Sequence, residues 1–483
     1  MSIPQRVSSA TPPPSGRKGE INIAPRDVAG LTQQLKGYHR RYSPLFFRKE
    51  QRHWSHKYME GQMLDIERKA IEPMARALEG GDVQAMQQFI SVGAWQDTSV
   101  ILQHQALVAE TLGERTGVAI LDGCDFPKQG EDSVGVARQW CGPLGKVANC
   151  QAGVVLVYAS SKGYTLIDRR LYLPEEWFDD DHKARWKKCG IPKDTPFQTK
   201  PQLGWAMLEP LIQRGVLPFQ WVTMDEGYGR DTVLLNRLND ADIWYMAEVP
   251  HSTRGWRRRP KTYVPPPSSD TGRPPTRVQL VPGTSKAQRI AAMAEALNGN
   301  QWHRFTLQEG TKGPLVADIA ALRVTVVEDG LPGREEWFVF RRSLGRKPVL
   351  KTYRCNAPAD TPLETLARLT SMRWPVEQTN EECKTELGMD HYEVRSWTGW
   401  HHHMTMTMLS HHFLVKLRVE MGDQAPALTV AQVRKLLNVT LPMRQFDEEA
   451  VIAEIQRTQQ ANHAAYRSHR KRKLRELNEL IPK

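Results

Sequence analysis

The chain has 483 residues, 40% of them hydrophobic and 25% charged, so most of it is expected to fold and to divide into several structural units. Lys and Arg outnumber Asp and Glu by 66 to 54, for a formal net charge of +12. That balance is typical of proteins that meet a polyanion, although many basic proteins bind none. No apolar run approaches the roughly 20 residues of a membrane helix, which argues against a membrane protein.

The six cysteines form no C-x-x-C pair and fit no zinc spacing, so we expect reduced thiols in a cytoplasmic protein. Residues 1–19 are rich in Ser and Pro and lack the apolar stretch of a secretory signal. We therefore expect residues 1–26 to form a disordered leader.

Residues 27–115 predict a helical domain. Residues 46–78 combine apolar positions at helical spacing with several basic side chains, and Asp82 is placed to cap the next helix. One interpretation is a helical domain that binds DNA. The other is a helical bundle with a solvated basic face, and periodicity alone favours this second interpretation.

Residues 116–250 predict the first part of an α/β core. A short apolar run ends at Asp122, and a second one, after a predicted helix over residues 200–214, ends at Asp225. Further strands are expected over residues 133–140, 152–158, 164–172 and 243–249, and a further helix over residues 231–238.

Residues 251–356 predict a β-rich insertion. It opens with an extended, basic, proline-rich stretch over residues 254–275 that contains Arg257, Arg258 and Arg259. Alternating segments over residues 322–328 and 336–342, with Gly330 and Gly333 between them, predict two strands joined by a turn.

Helical sequence resumes after the insertion. Residues 357–420 are expected to complete the core, and residues 421–483 to form a helical, basic C-terminal region. The basic run over residues 469–473 is either a phosphate-binding arm or part of a solvated helix.

Asp122 and Asp225 each follow an apolar strand. A buried acid at a strand end is costly unless something pairs with it, and Mg²⁺ prefers carboxylate oxygens. Two acids on neighbouring strands would suit a two-metal displacement at phosphorus. Aspartates that merely cap turns are common, however, and two positions alone favour that reading.

Residues 373–384 add a third element with the pattern R-x3-E-x6-K. Glu377 and Lys384 are seven residues apart and share one helix face. Pro375 fits the first turn of that helix, so periodicity does not place Arg373 on the same face. The alternative is an ordinary amphipathic helix.

Several long segments carry a family resemblance: FRKEQR (47–52), LDGCDFPKQGEDSVGVARQWCG (121–142), WVTMDEGYGRD (221–231), CNAPADTPLETL (355–366) and RWPVEQTNEECKTELGMDHYEVRSW (373–397). Together they resemble the DDE transposases of bacterial insertion sequences, in the group with the Y-R-E-K signature, and most closely the insertion-sequence family numbered 701. The resemblance extends from about Phe46 to Leu414.

This resemblance implies a ribonuclease H-like core with a β-strand insertion between the second and third acids. It implies that Asp122, Asp225 and Glu377 are the catalytic metal ligands, for two Mg²⁺ ions that Mn²⁺ replaces. Arg373 and Lys384 match the accessory basic residues that contact DNA at the cleaved end.

The chain departs from the family pattern in two places. Thr370 stands at the signature tyrosine, and Gly123 stands where relatives usually have a second acid, with Asp125 nearby. Asp125 therefore remains open as a helper of the first acid.

Other residues are weighed individually. Three acids adjoin the predicted ligands: Glu226, Glu381 and Glu382. They are not assigned as ligands, because Asp225 directly follows its strand and only Glu377 fits R-x3-E-x6-K. Lys128 and the arginines at 257–259 are candidates for DNA contact. The histidines at 401–403 and 411–412 lie in an apolar helical stretch, where packing and surface placement are favoured over metal binding.

The function implied is metal-dependent cleavage at transposon ends and strand transfer into target DNA. Expected partners are double-stranded DNA, as terminal inverted repeats and target, and a second copy of the chain in a homodimer on DNA, with no membrane. The expected location is the bacterial cytoplasm, at the nucleoid. Alternatives are a metal-dependent nuclease, a domesticated DNA-binding regulator, or a basic scaffold without activity.

Overall fold

The computed structural model describes residues 21–266, 276–310 and 313–479. Most of the predicted leader, and the end of the proline-rich stretch, lie outside these residues. Within the leader, residues 25 and 26 already belong to the first helix, because Pro25 fits the first helical turn and Asp27 Oδ2 accepts a hydrogen bond from Ala24 N at 2.8 Å.

Helices make up the N-terminal part. Those before the first strand are α1 Pro25–Ala29, α2 Leu31–Arg40, α3 Lys49–Met63, α4 Ile71–Ala77, α5 Val83–Ser91 and α6 Asp97–Leu112. The predicted cap is confirmed, since Asp82 Oδ1 accepts from Ala85 N at 2.7 Å at the start of α5.

Strands and helices then alternate. The first group is β1 Val118–Pro127, β2 Ala137–Cys141, β3 Lys146–Ala159, β4 Tyr164–Tyr172, α7 Lys183–Cys189, α8 Lys200–Arg214, β5 Trp221–Met224, α9 Glu226–Gly229, α10 Thr232–Asp240 and β6 Trp244–Glu248. The predicted boundaries of α8 and β4 are confirmed. The strand expected over residues 133–140 is confirmed only from residue 137 onward.

The second group contains the long strands. It comprises β7 Arg254–Trp256, β8 Thr262–Tyr263, β9 Gln279–Leu280, β10 Gln288–Arg289, α11 Ile290–Glu295, β11 His303–Gly310, β12 Gly313–Glu328, β13 Leu331–Ser343 and β14 Leu350–Cys355. Gly330 lies in the predicted turn with φ +80°, whereas Gly333 lies inside β13.

The chain ends in helices: α12 Leu363–Leu369, α13 Trp374–Leu387, α14 Trp397–Glu420, α15 Val430–Asn438 and α16 Glu448–Glu479. Among the described residues, no helix has both the length and the apolar character needed to cross a bilayer.

One large mixed sheet organises this α/β fold. Its described strands run in the order β10-β7-β12-β13-β14-β6-β5-β1-β3-β2, with β4 on the outer edge of β3 and β11 on β12. β1 is antiparallel to β3 but parallel to β5, which is in turn parallel to β6. The strands of residues 251–356, apart from β8 and β9, which form a separate pair, therefore extend the core sheet. They also enclose a smaller apolar cluster that includes Ile290, Val324 and Phe338.

Helices cover both faces of the central strands. On one face, Gly204 of α8 approaches β1 so closely that a Cβ there would lie 2.5 Å from Leu121 Cδ2. On the other face, Thr223 Oγ1 of β5 donates to Met372 O, just before α13, at 3.4 Å. The central strands thus lie between α8 and α13, and their buried apolar residues form the main core.

Helix α14 passes through the interior, and its histidines are buried rather than at the surface. Three of them hydrogen-bond to the N-terminal helices: His403 to Tyr58 at 2.8 Å, His412 to Tyr38 at 2.9 Å and His402 to Ile90 O at 2.9 Å. The predicted packing role is confirmed, but surface placement is wrong, because helices surround α14 on several sides and these imidazoles are satisfied by neighbours.

Candidate active site

Asp122 and Asp225 lie side by side. Strands β1 and β5 pair in parallel register, with Leu121 opposite Met224, so the two next residues are these aspartates. Neighbouring strands are about 4.8 Å apart, which places both carboxylates in one small region. The sequence predicted that both acids follow their strands. This is confirmed for Asp225 but wrong for Asp122, because β1 continues to pair with β3 as far as Pro127.

Both aspartates face helix α13. Side chains alternate along a strand, and Thr223, two residues before Asp225, contacts the residue before α13. Asp225 also caps the short α9, where its Oδ1 accepts from Tyr228 N at 3.3 Å. The Asp122 side chain is only 13% exposed, so its charge is poorly hydrated.

The electrostatics of the pair reflect that burial. Burial raises the pKa of Asp122 above its ordinary value; the nearby Arg373 opposes the rise and the like charge of Asp225 adds to it. Burial and then the charges of Asp122 and Asp225 also raise the pKa of Tyr228 well above its ordinary value. Among the described residues, the buried Tyr228 hydroxyl has no hydrogen-bond partner.

Arg373 supplies the positive charge of the site. It is the N-cap residue of α13, and its Nη2 donates to Asp122 Oδ2 at 3.0 Å. Burial alone would lower the pKa of Arg373, but Asp122, Asp225 and Glu248 raise it above its ordinary value, so the guanidinium stays charged. Periodicity left the direction of this side chain open, and the structure points it at the first acid.

Lys384 contacts the same strand further along, where its Nζ donates to Asp125 O at 3.0 Å. Glu377 lies one turn after Arg373 and two turns before Lys384. Helical spacing therefore places it on the same side of α13 as these two residues, both of which contact β1. Glu377 is exposed. Within the described ranges, no three His, Cys, Asp or Glu side chains are gathered closely enough to hold a metal ion. The structure therefore places Asp122 beside Asp225, while Glu377 stands on α13 between Arg373 and Lys384, the two residues that contact β1.

The neighbouring acids have other partners. Asp125 Oδ2 accepts from Gly142 N at 2.9 Å, and Glu226 pairs with Arg230 at 3.2 Å on the exposed side of α9. Glu382 is buried, accepting hydrogen bonds from Tyr164 and His411 at 3.0 Å each. Each of these three carboxylates is thus held away from the Asp122–Asp225 pair by its own contacts.

The remaining predicted DNA contacts lie in two places. Lys128 Nζ sits 3.6 Å from the centre of the Tyr392 ring, and burial lowers its pKa to about 8. Arg257, Arg258 and Arg259 are exposed and line a cavity of about 550 Å³ beside β7. Arg259 is also tied to the backbone, where its Nη2 donates to Pro332 O at 3.0 Å.

Glu248 is a site residue that sequence reasoning missed. It ends β6, the next parallel strand, and Met224 pairs with Ala247, so Glu248 lies beside Asp225. The signal was available, because Glu248 is an acid one residue before the end of the apolar strand predicted over residues 243–249. Gly229 allows this arrangement: a Cβ there would lie 2.0 Å from Glu248 O.

The residues present fit a hard divalent cation. Asp122 and Asp225 offer adjacent carboxylate oxygens, the donors that Mg²⁺ prefers. The unpartnered Tyr228 hydroxyl nearby could hydrogen-bond to a water carried by such an ion.

Comparison with known proteins agrees with this geometry. The chain is 25% identical over 231 residues to a protein of Microchaete diplosiphon described as a probable transposase for insertion sequence element IS701, an alignment that covers 47% of this chain and 56% of the relative. The chain therefore aligns with little more than half of that protein's length. A family described as DDE superfamily endonuclease matches residues 41–314, more than half of the chain and including both aspartates. The chain belongs to the DDE superfamily of endonucleases.

Proposed function

We propose that this protein is a DNA transposase that cleaves transposon ends and joins them to target DNA. One observation carries the proposal: Asp122 and Asp225 lie in register on adjacent strands, beneath a helix whose Arg373 and Lys384 contact β1. The similarity to the probable transposase supports it.

In this proposal Asp122, Asp225 and Glu377 are the catalytic ligands. Glu377 is exposed on α13 between Arg373 and Lys384, and we assign it as the third ligand of the set. Two bound Mg²⁺ ions, or Mn²⁺ in their place, would supply activation of water and stabilisation of the leaving oxygen.

The basic residues of the chain position the DNA. Arg373 and Lys384 flank Glu377, so they are placed to hold phosphates on either side of the scissile bond. Lys128 and the arginines at 257–259 would extend the contact away from the acids. Double-stranded DNA with terminal inverted repeats is the proposed substrate, and a homodimer that holds two ends is the proposed working form.

We also propose a division of the chain for this function. Strands β1 to β6 with α8, α13 and α14 would form a ribonuclease H-like core, and residues 251–356 a β-rich insertion. Residues 27–115 would form a DNA-binding helical domain, and residues 421–483 a basic C-terminal region. Because the substrate is chromosomal, we keep the bacterial cytoplasm, at the nucleoid, as the expected location.

A strand-transfer assay tests the proposal. Purified protein is incubated with labelled terminal-repeat DNA, a supercoiled plasmid and Mg²⁺ or Mn²⁺. We expect cleavage at the repeat end and covalent joining of the label to the plasmid. Cleavage without joining would indicate a nuclease, and binding without cleavage a domesticated regulator or scaffold; either result would overturn the proposal.

A further inference from the structure

Three carboxylates stand in a row across three neighbouring parallel strands. The registers that pair Leu121 with Met224, and Met224 with Ala247, bring Asp122, Asp225 and Glu248 side by side. Glu248 is partly buried, with 16% of its side chain exposed. Like charges this close require positive charge between them.

Arg373 provides that charge by bridging the two outer acids. Its Nη2 lies 3.0 Å from Asp122 Oδ2 and its Nη1 lies 3.4 Å from Glu248 Oε2. Lys351 Nζ adds a second cation 3.0 Å from Glu248 Oε1. Glu248 is therefore held from two sides, whereas Asp122 is neutralised by Arg373 alone among the salt bridges of the described residues.

In this arrangement Arg373 already pairs with the carboxylate of Asp122 that is proposed to bind a metal ion. A guanidinium paired with Asp122 competes with any divalent cation for the same oxygens. If the cation displaced Arg373 entirely, a charged side chain that is only 23% exposed would lose its partner. Glu248 removes that difficulty, because it offers Arg373 a second carboxylate within reach.

We propose that Glu248 is a positioning residue that retains Arg373 when Asp122 accepts a divalent cation, so that Arg373 and the cation exchange on Asp122. Glu248 does not bind the ion in this scheme. Lys351 keeps Glu248 in place and shares its charge. Arg373, released from Asp122 but held by Glu248, stays at the start of α13, next to the phosphate that it is proposed to contact.

The proposal rests on the proposed function for the identity of the ion, but its test needs no DNA cleavage. Free Mn²⁺ is followed by electron paramagnetic resonance during titration of the DNA-free full chain. The proteins are the wild type, Glu248→Gln, Arg373→Gln and the double variant, each first checked for cooperative thermal unfolding. This set forms a double-mutant cycle on metal affinity.

We expect Arg373→Gln to tighten Mn²⁺ binding several-fold by removing the competitor. Glu248→Gln should weaken binding about tenfold, the lower end of the range for outer-sphere partners of a metal site. In the Arg373→Gln background, Glu248→Gln should change the affinity less than about twofold, because Arg373 no longer needs the second partner.

Glu226→Gln is the matched control for charge. It removes one negative charge beside Asp225, from a carboxylate that pairs with Arg230 on the exposed side of α9, and it should change the affinity less than about twofold. Should Glu248→Gln fail to fold because Lys351 loses its partner, Glu248→Asp keeps the charge with a shorter reach and is expected to weaken binding in the same direction.

Three results would overturn the proposal: equal losses from Glu248→Gln in both backgrounds, which would make Glu248 a ligand; no tightening in Arg373→Gln; or no Mn²⁺ binding by the wild type. Failure of the proposed function looks different. In that case the cycle behaves as expected while the strand-transfer assay yields no joined product.

Discussion

Helix α13 carries two glutamates five residues apart that have opposite surroundings. Glu377 is exposed, whereas Glu382 is buried among Tyr164 and His411. Burial alone would raise the pKa of Glu382, but the hydrogen bonds and charge of His411, with the Tyr164 hydroxyl, lower it below its ordinary value. Glu382, which accepts hydrogen bonds within the protein, anchors the helix, and the exposed Glu377 is available for chemistry.

The same contrast separates two larger regions. In the interior around α14, the buried imidazoles have hydrogen-bond partners on neighbouring helices or on the sheet. Beside the two aspartates, by contrast, Tyr228 Oη and Arg373 Nε are buried without a hydrogen-bond partner among the described residues. Hydrogen-bonded buried groups fix the fold, whereas these two atoms are placed to meet another molecule or ion.

The largest effect is expected at the three acids that are proposed as metal ligands. Asp122→Asn, Asp225→Asn and Glu377→Gln should each reduce cleavage of terminal-repeat DNA by about 10²–10³-fold or more, because each removes charge placed at the reacting phosphate. Binding of the same DNA should persist. Gel-based cleavage and binding assays measure both, with Glu226→Gln as the control, and full cleavage by any of the three variants would break the contrast.

The next largest effect is expected at the buried glutamate. His411→Leu leaves Glu382 charged without its main partner, and should reduce the free energy of unfolding by about 3 kcal/mol or more. Glu382→Gln keeps the shape and should cost less. Urea unfolding measures both. Glu381→Gln, at the exposed neighbour on the same helix, should change the free energy of unfolding by less than about 0.5 kcal/mol. An equal loss there would contradict the distinction between the buried and the exposed glutamates.

A smaller effect is expected where the backbone shapes the acid row. Gly229→Ala would place a Cβ 2.0 Å from Glu248 O, so α9 must shift. We expect a loss of about 1–3 kcal/mol in the free energy of unfolding, together with reduced cleavage. Gly37→Ala in α2 meets no atom within 4 Å and should be neutral or slightly stabilising. An unchanged Gly229→Ala protein would show that the close approach is not needed.

The smallest effect is expected far from the acids, at the exposed arginines of the insertion. Arg257→Ala with Arg258→Ala should weaken DNA binding and make the slope of log K against log salt less negative by about two, roughly one per lost phosphate contact. Arg304→Ala removes an arginine of the same insertion that pairs with Asp318 at 2.9 Å, and should leave the slope unchanged. Identical slopes for both proteins would exclude the arginines at 257 and 258 from the DNA interface.

Local patterns in the sequence were sufficient to predict which segments carry the site residues, but not which of these residues lie together. Apolar runs and helical periodicity identified α8, β4 and the strands that carry Asp122 and Asp225, because those signals depend only on neighbouring residues. The family resemblance is confirmed by the family match over residues 41–314. The metal-ligand roles of Asp122, Asp225 and Glu377 stay predictions.

What the sequence did not reveal depends on contacts between distant segments. The register that brings Asp225 between Asp122 and Glu248 is set by sheet pairing, and the Arg373–Asp122 contact joins residues 251 positions apart. The histidines of α14 are another case. Their helix is buried on nearly all sides, and its five histidines interrupt the all-round apolar pattern that is typical of a buried helix.

The most direct measurement of the central claim is anomalous diffraction from crystals of the protein bound to terminal-repeat DNA and soaked with Mn²⁺. The account predicts manganese peaks within coordinating distance of the carboxylates of Asp122, Asp225 and Glu377, with Arg373 moved off Asp122 and still paired with Glu248. Manganese bound elsewhere, or a Glu377 carboxylate directed away from the peaks, would contradict it.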